Sequence, residues 1–217
     1  MSGLKKRSRG ATVGVAPAET RRIGRPRNEE TRKVILATTL KLLESETLQS
    51  ISIEGIAREA GVSKATIYRW WSSKASIVLD AFMEHHLVRT PMRHDLPPAE
   101  ALVDHIAALI DSYSGWAGRI VAQIIAEGQS DAALLREFRE RFQYGRRAAV
   151  REVLESWRQQ GGIPAHVDLE LLTEVLYGPI YARLLLGSAA LHRDFADQLA
   201  SLVFSMFGLD NASGRRP

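Results

Sequence analysis

The chain has 217 residues, 45% of them hydrophobic and 25% charged, which suffices for one large or two modest domains with real cores. Its net charge of +4 is unevenly spread: residues 1–33 hold ten Lys or Arg against three Glu, an excess of +7, so the remainder stands at −3. With no cysteine, disulfides, thiolate metal sites and Cys nucleophiles are excluded; with no apolar run of 18 residues and no apolar stretch behind the basic N-terminus, a soluble cytoplasmic protein without a membrane partner is expected.

Residues 1–27 mix Gly, Ser, Pro, Lys and Arg without an apolar period and read as a basic flexible arm. Within it, Arg21, Arg22, Arg25 and Arg27 lie in and around a Gly24-Arg25-Pro26 core that suits a narrow A·T-rich minor groove, or serves as a basic tail that only adds affinity. Asn28 is placed to cap a first helix over 29–44, in which Ile35, Leu36, Leu40, Leu42 and Leu43 recur at helical spacing. Ser52 caps a short helix over 53–60 that Gly61 ends, Ser63 caps another running to Trp71, and Ser73 caps a longer one toward His86. Pro91, Pro97 and Pro98 interrupt the chain next. Further helices are expected over 99–113, 116–127, 131–160, 168–187 and 191–207, the third with a break near Gly145. No alternating run of strand length occurs, so the fold class is all-α with about nine helices. Its parts are the arm, a three-helix DNA-binding unit over 28–75, a larger helical domain over 76–208 and a tail over 209–217.

Residues 52–71, SIEGIAREAGVSKATIYRWW, have the form of a helix-turn-helix: a support helix, a tight turn, then a helix whose first half enters the major groove. Ile53, Ile56 and Ala57 supply an inner face, Gly61 the positive φ of the turn, and Val62 its plug. Ile67 and Trp71 lie four apart and pack back, leaving Lys64, Ala65, Thr66, Arg69 and Trp70 facing away. Ser63, Thr66, Tyr68 and Lys74 are donors suited to phosphate oxygens, and Ser52 opens the support helix beside them. An ordinary helical hairpin, with Tyr68 and the tryptophans as core aromatics, is the competing interpretation of the same spacing.

The stretch IAREAGVSKATIYRWWSSK, preceded by EETRKVILATTLKLLE, closely resembles the DNA-binding domain of the tetracycline-repressor (TetR) family. The family pattern falls here on Gly61, Val62, Ser63, Thr66, Ile67, Tyr68, Trp71 and Lys74. The resemblance implies Tyr68 and Lys74 on phosphates, Thr66 on a phosphate or a base edge, and Trp71 in the core. Ala65 stands where Gly is frequent and Trp70 where a phosphate-contacting His is frequent, so an indole N–H takes over as donor.

Thr90-Pro91 and GPIYARLLL extend the resemblance to the larger domain of one branch of the family. It implies operator DNA as partner, an effector site inside helices four to eight, and a homodimer through residues 168–207. The sequence offers an apolar stripe of Leu199, Leu202, Val203 and Met206, and another of Leu172, Val175, Leu176, Pro179, Ile180 and Leu184, for that dimer. Tyr113, Trp116, Ile120, Gln123, Ile124, Phe138, Phe142 and Tyr177 are the residues nominated for a largely apolar small-molecule effector, with plain core as the alternative for each. No metal or cofactor set is apparent: His85 and His86 point about 100° apart on a helix, and His94, His105, His166 and His192 are isolated. The function expected is a DNA-binding regulator, a repressor released by its effector, rather than an enzyme. A constitutive dimeric DNA-binding protein and a helical enzyme are the alternatives.

Overall fold

Serine hydroxyls set where the early helices begin. Ser52 accepts from the Gly55 N–H, Ser63 from Thr66 and Ser73 from Ser76, each satisfying an amide that the first helical turn leaves without a partner. The computed structural model describes residues 29–209, apart from the side chains at 87 and 88. The arm with Arg25, Arg27 and the Gly24-Arg25-Pro26 core, the Asn28 cap and residues 210–217 lie outside the described residues.

Among the described residues the helices are α1 (Glu29–Ser45), α2 (Ile53–Glu59), α3 (Lys64–Tyr68), α4 (Lys74–Arg89), α5 (Pro98–Tyr113), α6 (Trp116–Gly128), α7 (Ala132–Phe138), α8 (Tyr144–Gln159), α9 (Leu169–Leu186) and α10 (Arg193–Phe207). No strand occurs among them, as the all-α reading requires. A π-helical turn, Arg139–Gln143, joins α7 and α8 without a break, so the ten helices form nine rods. The interruption expected near Gly145 is therefore a widened turn just before it. That turn keeps Phe138 and Phe142 stacked at 5.1 Å.

Gly61, at φ +65°, ends α2 in a left-handed turn, with Val62 N–H donating to Ala57 C=O at 3.0 Å. α3 stops at Tyr68 rather than Trp71: the amides of both Trp70 and Trp71 donate to the Ile67 carbonyl. The Trp71 ring is buried and its Nε1–H donates to Asp80 of α4 at 2.6 Å, which holds the chain off the α3 axis. α4 packs on α1 and also reaches α5 and α7. Helix 4 thus belongs to the DNA-reading unit and to the body at once.

In the body, α5 packs against α8 and α10, and α9 against the same two helices. α6 spans from α5 to α1. The apolar stripe on α10 divides: Leu199 and Val203 point into the subunit, while Leu202 and Met206 point out. α9 divides likewise, with Leu172, Leu176 and Ile180 inside and Leu171, Leu185 and Leu186 outside. Gly208, at φ +63°, closes α10, and Leu209 folds back with its N–H on Phe204 C=O at 2.9 Å and its side chain buried. Leu209, one residue past the expected end of the domain, thus packs on the body.

Candidate functional site

The helix-turn-helix presents a narrow polar face. Ile53, Ile56, Ala57, Ile67 and Trp71 are buried, while Ser52, Ser63, Lys64, Ala65, Tyr68 and Arg69 are exposed. Tyr68 is 56% exposed, so its ring is no core aromatic. Thr66 is half-buried and its hydroxyl lies 2.9 Å from that of Ser63. Trp70 is also half-buried, its ring 6.1 Å from that of Trp71. Lys64 is not a bare cation, because Nζ donates to the Glu54 carboxylate at 2.8 Å across the motif. That hydrogen bond holds the Glu54 carboxyl below its usual range and the Lys64 ammonium above its own. Lys74, the residue expected on phosphate, donates to the Leu48 carbonyl at 2.8 Å and so ties α4 to the α1–α2 loop.

Polar links fasten this unit to the body. Gln123, nominated for an effector pocket, is placed elsewhere: its Oε1 accepts the Leu48 N–H at 2.8 Å. From the same helix Arg119 donates to the C-terminal carbonyls of Leu43 and Glu44, at 3.2 and 2.8 Å, where a helix end favours a cation. Asp80 on α4 accepts from Trp71 and Arg32 on the DNA-reading side and from Arg141, in the π turn, on the body side. Ser76 reaches Glu137 of α7 at 3.1 Å.

The far end of α4 enters a buried aromatic cluster. His86 stacks on Phe82 at 5.0 Å and on Tyr113 at 5.4 Å, and Phe142 lies 5.3 Å from it. Arg146, from α8, lies over the Phe142 ring at 4.9 Å and is only 8% exposed. One of its nitrogens donates to Thr90 Oγ1 at 2.9 Å, and Thr90 in turn donates to the His86 carbonyl at 3.0 Å. His105 Nε2 lies 2.8 Å from the Tyr177 hydroxyl, and Tyr181 lies edge-on to Tyr113 at 6.2 Å. Burial, reinforced by the Arg146 charge, pushes His86 and His105 down to about 3, so both are neutral at pH 7. Burial likewise pushes the Tyr177 hydroxyl upward.

Of the residues nominated for an effector, Tyr113, Phe138, Phe142 and Tyr177 are thus brought around one cluster. Ile120 and Ile124 are fully buried core of α6. Trp116 packs against His85 at 5.0 Å, away from it. Sequence reasoning missed His86, Thr90, His105, Arg146 and Tyr181. Arg146 had a signal: Phe142, Arg146, Val150 and Leu154 follow one another at i+4, which sets a cation on an apolar stripe. Among the described residues no helix is long and apolar enough to cross a membrane, and no group of three metal-ligating side chains converges.

Comparison with known proteins agrees with this geometry. Residues 35–81 match the family of bacterial regulatory proteins, tetR family, and residues 74–203 match the tetracyclin repressor-like C-terminal domain. The HTH-type transcriptional regulator YdeS of Bacillus subtilis is 33% identical over 181 residues, covering 83% of this chain and 91% of its own. Rv1556 of Mycobacterium tuberculosis, also an HTH-type transcriptional regulator, is 28% identical over 155 residues, 69% of this chain and 73% of its own. The crystal structure of the TetR family transcription regulator SCO0332 superposes with a TM-score of 0.66 at 30% identity, covering 87% of this chain and all of that one. FadR from Bacillus subtilis, solved in complex with stearoyl-CoA, shares the fold with a TM-score of 0.66 at 19% identity, over 80% of this chain and 97% of its own. With a helix-turn-helix face at one end of α4 and a family-matched helical body at the other, the chain belongs to the tetR family of DNA-binding transcriptional regulators.

Proposed function

We propose that the protein is a dimeric repressor that leaves its operator when a small molecule enters the buried cluster at the end of α4. The observation that carries this reading is the double attachment of that helix. Its first turns are held by the DNA-reading unit, through Lys74 on Leu48 and Trp71 on Asp80. Its last turn is held in the body, through Thr90 and Arg146. Closely packed side chains shift together, so a ligand that separates Phe82, His86 and Phe142 moves the helix that orients α3. That FadR holds stearoyl-CoA supports the view that this fold accommodates a small ligand.

The exposed face of Ser63, Lys64, Ala65, Thr66, Tyr68, Arg69 and Trp70 contacts the duplex, with Ser52 beside it. Arg25 and Arg27 add phosphate or minor-groove contacts. Outward residues of α9 and α10 pair with their copies in a second subunit, and two recognition helices then reach successive major grooves about 34 Å apart.

Release requires the ligand to favour the splayed dimer over the DNA-competent one, since equal affinity shifts nothing. The test begins with operators selected from random duplex DNA, placed ahead of a reporter gene in a heterologous bacterium. The chain should repress the reporter, and at least one fraction of a small-molecule metabolite library should lift repression and weaken operator binding in vitro. Repression that no fraction relieves would instead make the body a constitutive dimerisation domain.

A further inference from the structure

A buried cation without a counter-ion is expensive, and here one stands in the middle of an aromatic cluster. Arg146 is more than nine-tenths buried, yet it forms no ion pair with any described carboxylate. Its charged neighbours on α8, Arg147 and Arg151, both pair with Glu170 on the surface. Among the described residues, Arg146 Nε and Nη1 have no hydrogen-bond partner, and neither has the Nε2 of His86. Both side chains lie against the same Phe142 ring. The Ser112 hydroxyl, 3.2 Å from His86 Nδ1, can supply the proton there, which leaves Nε2 as an N–H donor. Two donors, one charged and one neutral, therefore stand beside one aromatic cluster of Phe82, Tyr113 and Phe142.

What holds the guanidinium without a ligand is the C-terminal turn of α4. Arg146 donates to Thr90, the capping residue of that helix, where the last carbonyls carry partial negative charge. This is weaker compensation than a carboxylate gives. Natural interiors rarely keep an unpaired charge unless it has a use. The π turn that carries Phe142 is a second mark of the place, because such widened turns recur at functional sites. Tyr113 also walls a surface cleft of about 500 Å³ between α5 and the α9–α10 loop, so this residue borders both the cleft and the cluster.

We propose that Arg146 is the anion-recognising residue of the effector site, and that the effector is a small aromatic or apolar carboxylate whose charged end pairs with this guanidinium while its body lies among Phe82, His86, Tyr113 and Phe142. This rests on the effector-released reading above and gives it a chemistry. The ligand carboxylate competes with the end of α4 for the guanidinium. Drawing Arg146 off Thr90 loosens the attachment of the helix that orients α3, so neutralising the buried charge and releasing DNA are one event.

The test compares acids with their uncharged primary amides: benzoate, 2-naphthoate and 4-phenylbutyrate, titrated calorimetrically at pH 7 into the full chain and into Arg146→Met. At least one acid should bind the native protein about tenfold or more tighter than its amide, a difference of about 1.4 kcal/mol. In Arg146→Met that preference should vanish. Methionine nearly preserves the side-chain length and removes the unpaired charge, and a cooperative thermal melt shows that the variant is folded. The proposal falls if no acid binds, if acid and amide bind alike, or if the preference survives in Arg146→Met. Should the acids fail while other metabolite fractions still lift repression, the effector reading stands and the anion assignment falls. Should the acids bind through Arg146 yet leave operator affinity unchanged, the anion site stands and release by it falls.

Discussion

Lys64 and Glu54 show how a residue's chemistry differs from its letter. A lysine at the start of a recognition helix reads as a cation for DNA, yet its charge is met by a carboxylate 2.8 Å away on the support helix. Phosphate or a base edge must compete with Glu54 for it. Replacing Glu54→Gln should therefore raise affinity for unrelated duplexes and steepen its dependence on salt by about one counterion. Fluorescence anisotropy across a salt series measures both, and an unchanged slope would show that Lys64 stays clear of the duplex. The buried histidines support a second prediction. Their folded values near 3 lie below the unfolded value of 6.5, so the unfolded chain takes up protons first. Stability contributed by the neutral rings is complete above pH 6.5 and is lost as pH falls from 6.5 toward 3. Each ring sets a slope of about 1.4 kcal/mol per pH unit in that window. Urea unfolding between pH 7 and 5 should show about two such slopes, and His105→Gln should remove one of them.

At the scale of elements, what the sequence disclosed is what is local. Caps at Ser52, Ser63 and Ser73, the stop at Gly61 and the apolar periods act over three to five residues, and the helices begin and end near those signals. The misses come from partners far along the chain. Periodicity carries α3 to Trp71, but that ring is held by Asp80 of α4. Its position on α6 suits Gln123 to a pocket, but an amide 75 positions earlier takes its oxygen. The bond from Lys74 to the Leu48 carbonyl is another contact that no local pattern discloses. On α9 and α10, periodicity gives an apolar arc without saying which part of it meets the subunit's own core. Gly61 is the local signal most open to test. Nothing lies within 4 Å of where its Cβ would be, so only the backbone opposes a side chain there. Gly61→Ala should cost about 1 kcal/mol through the positive φ, read as a lower melting temperature with the fold retained. A larger loss would mean that the turn also presses on a neighbour.

At the scale of the whole molecule, the proposed dimer gives an occupant to an apolar surface that the single subunit leaves exposed. Leu171, Leu185, Leu186, Leu202 and Met206 stand out from α9 and α10, with Leu186 at 78% and Met206 at 64% exposure. Several large apolar side chains on two adjacent helices mark a face that expects a partner. The two-fold arrangement proposed above would place the same residues of each subunit against one another and so fix the distance between the two copies of α3. Operator binding then depends on the dimer, because each half-site alone offers few contacts and the second engages at the high effective concentration set by the first. The inward and outward halves of the α10 stripe separate this idea from simple damage to the fold. Leu202→Glu puts a charge on the outward face and should yield a folded monomer, melting cooperatively but binding a palindromic operator far more weakly. Val203→Glu, one residue on, buries the charge in a site that is 1% exposed and should unfold the subunit itself. Sedimentation and thermal melting of the two variants distinguish the cases. A stable dimer of Leu202→Glu would move the interface off this face, and with it the spacing argument that links α4 to release from DNA.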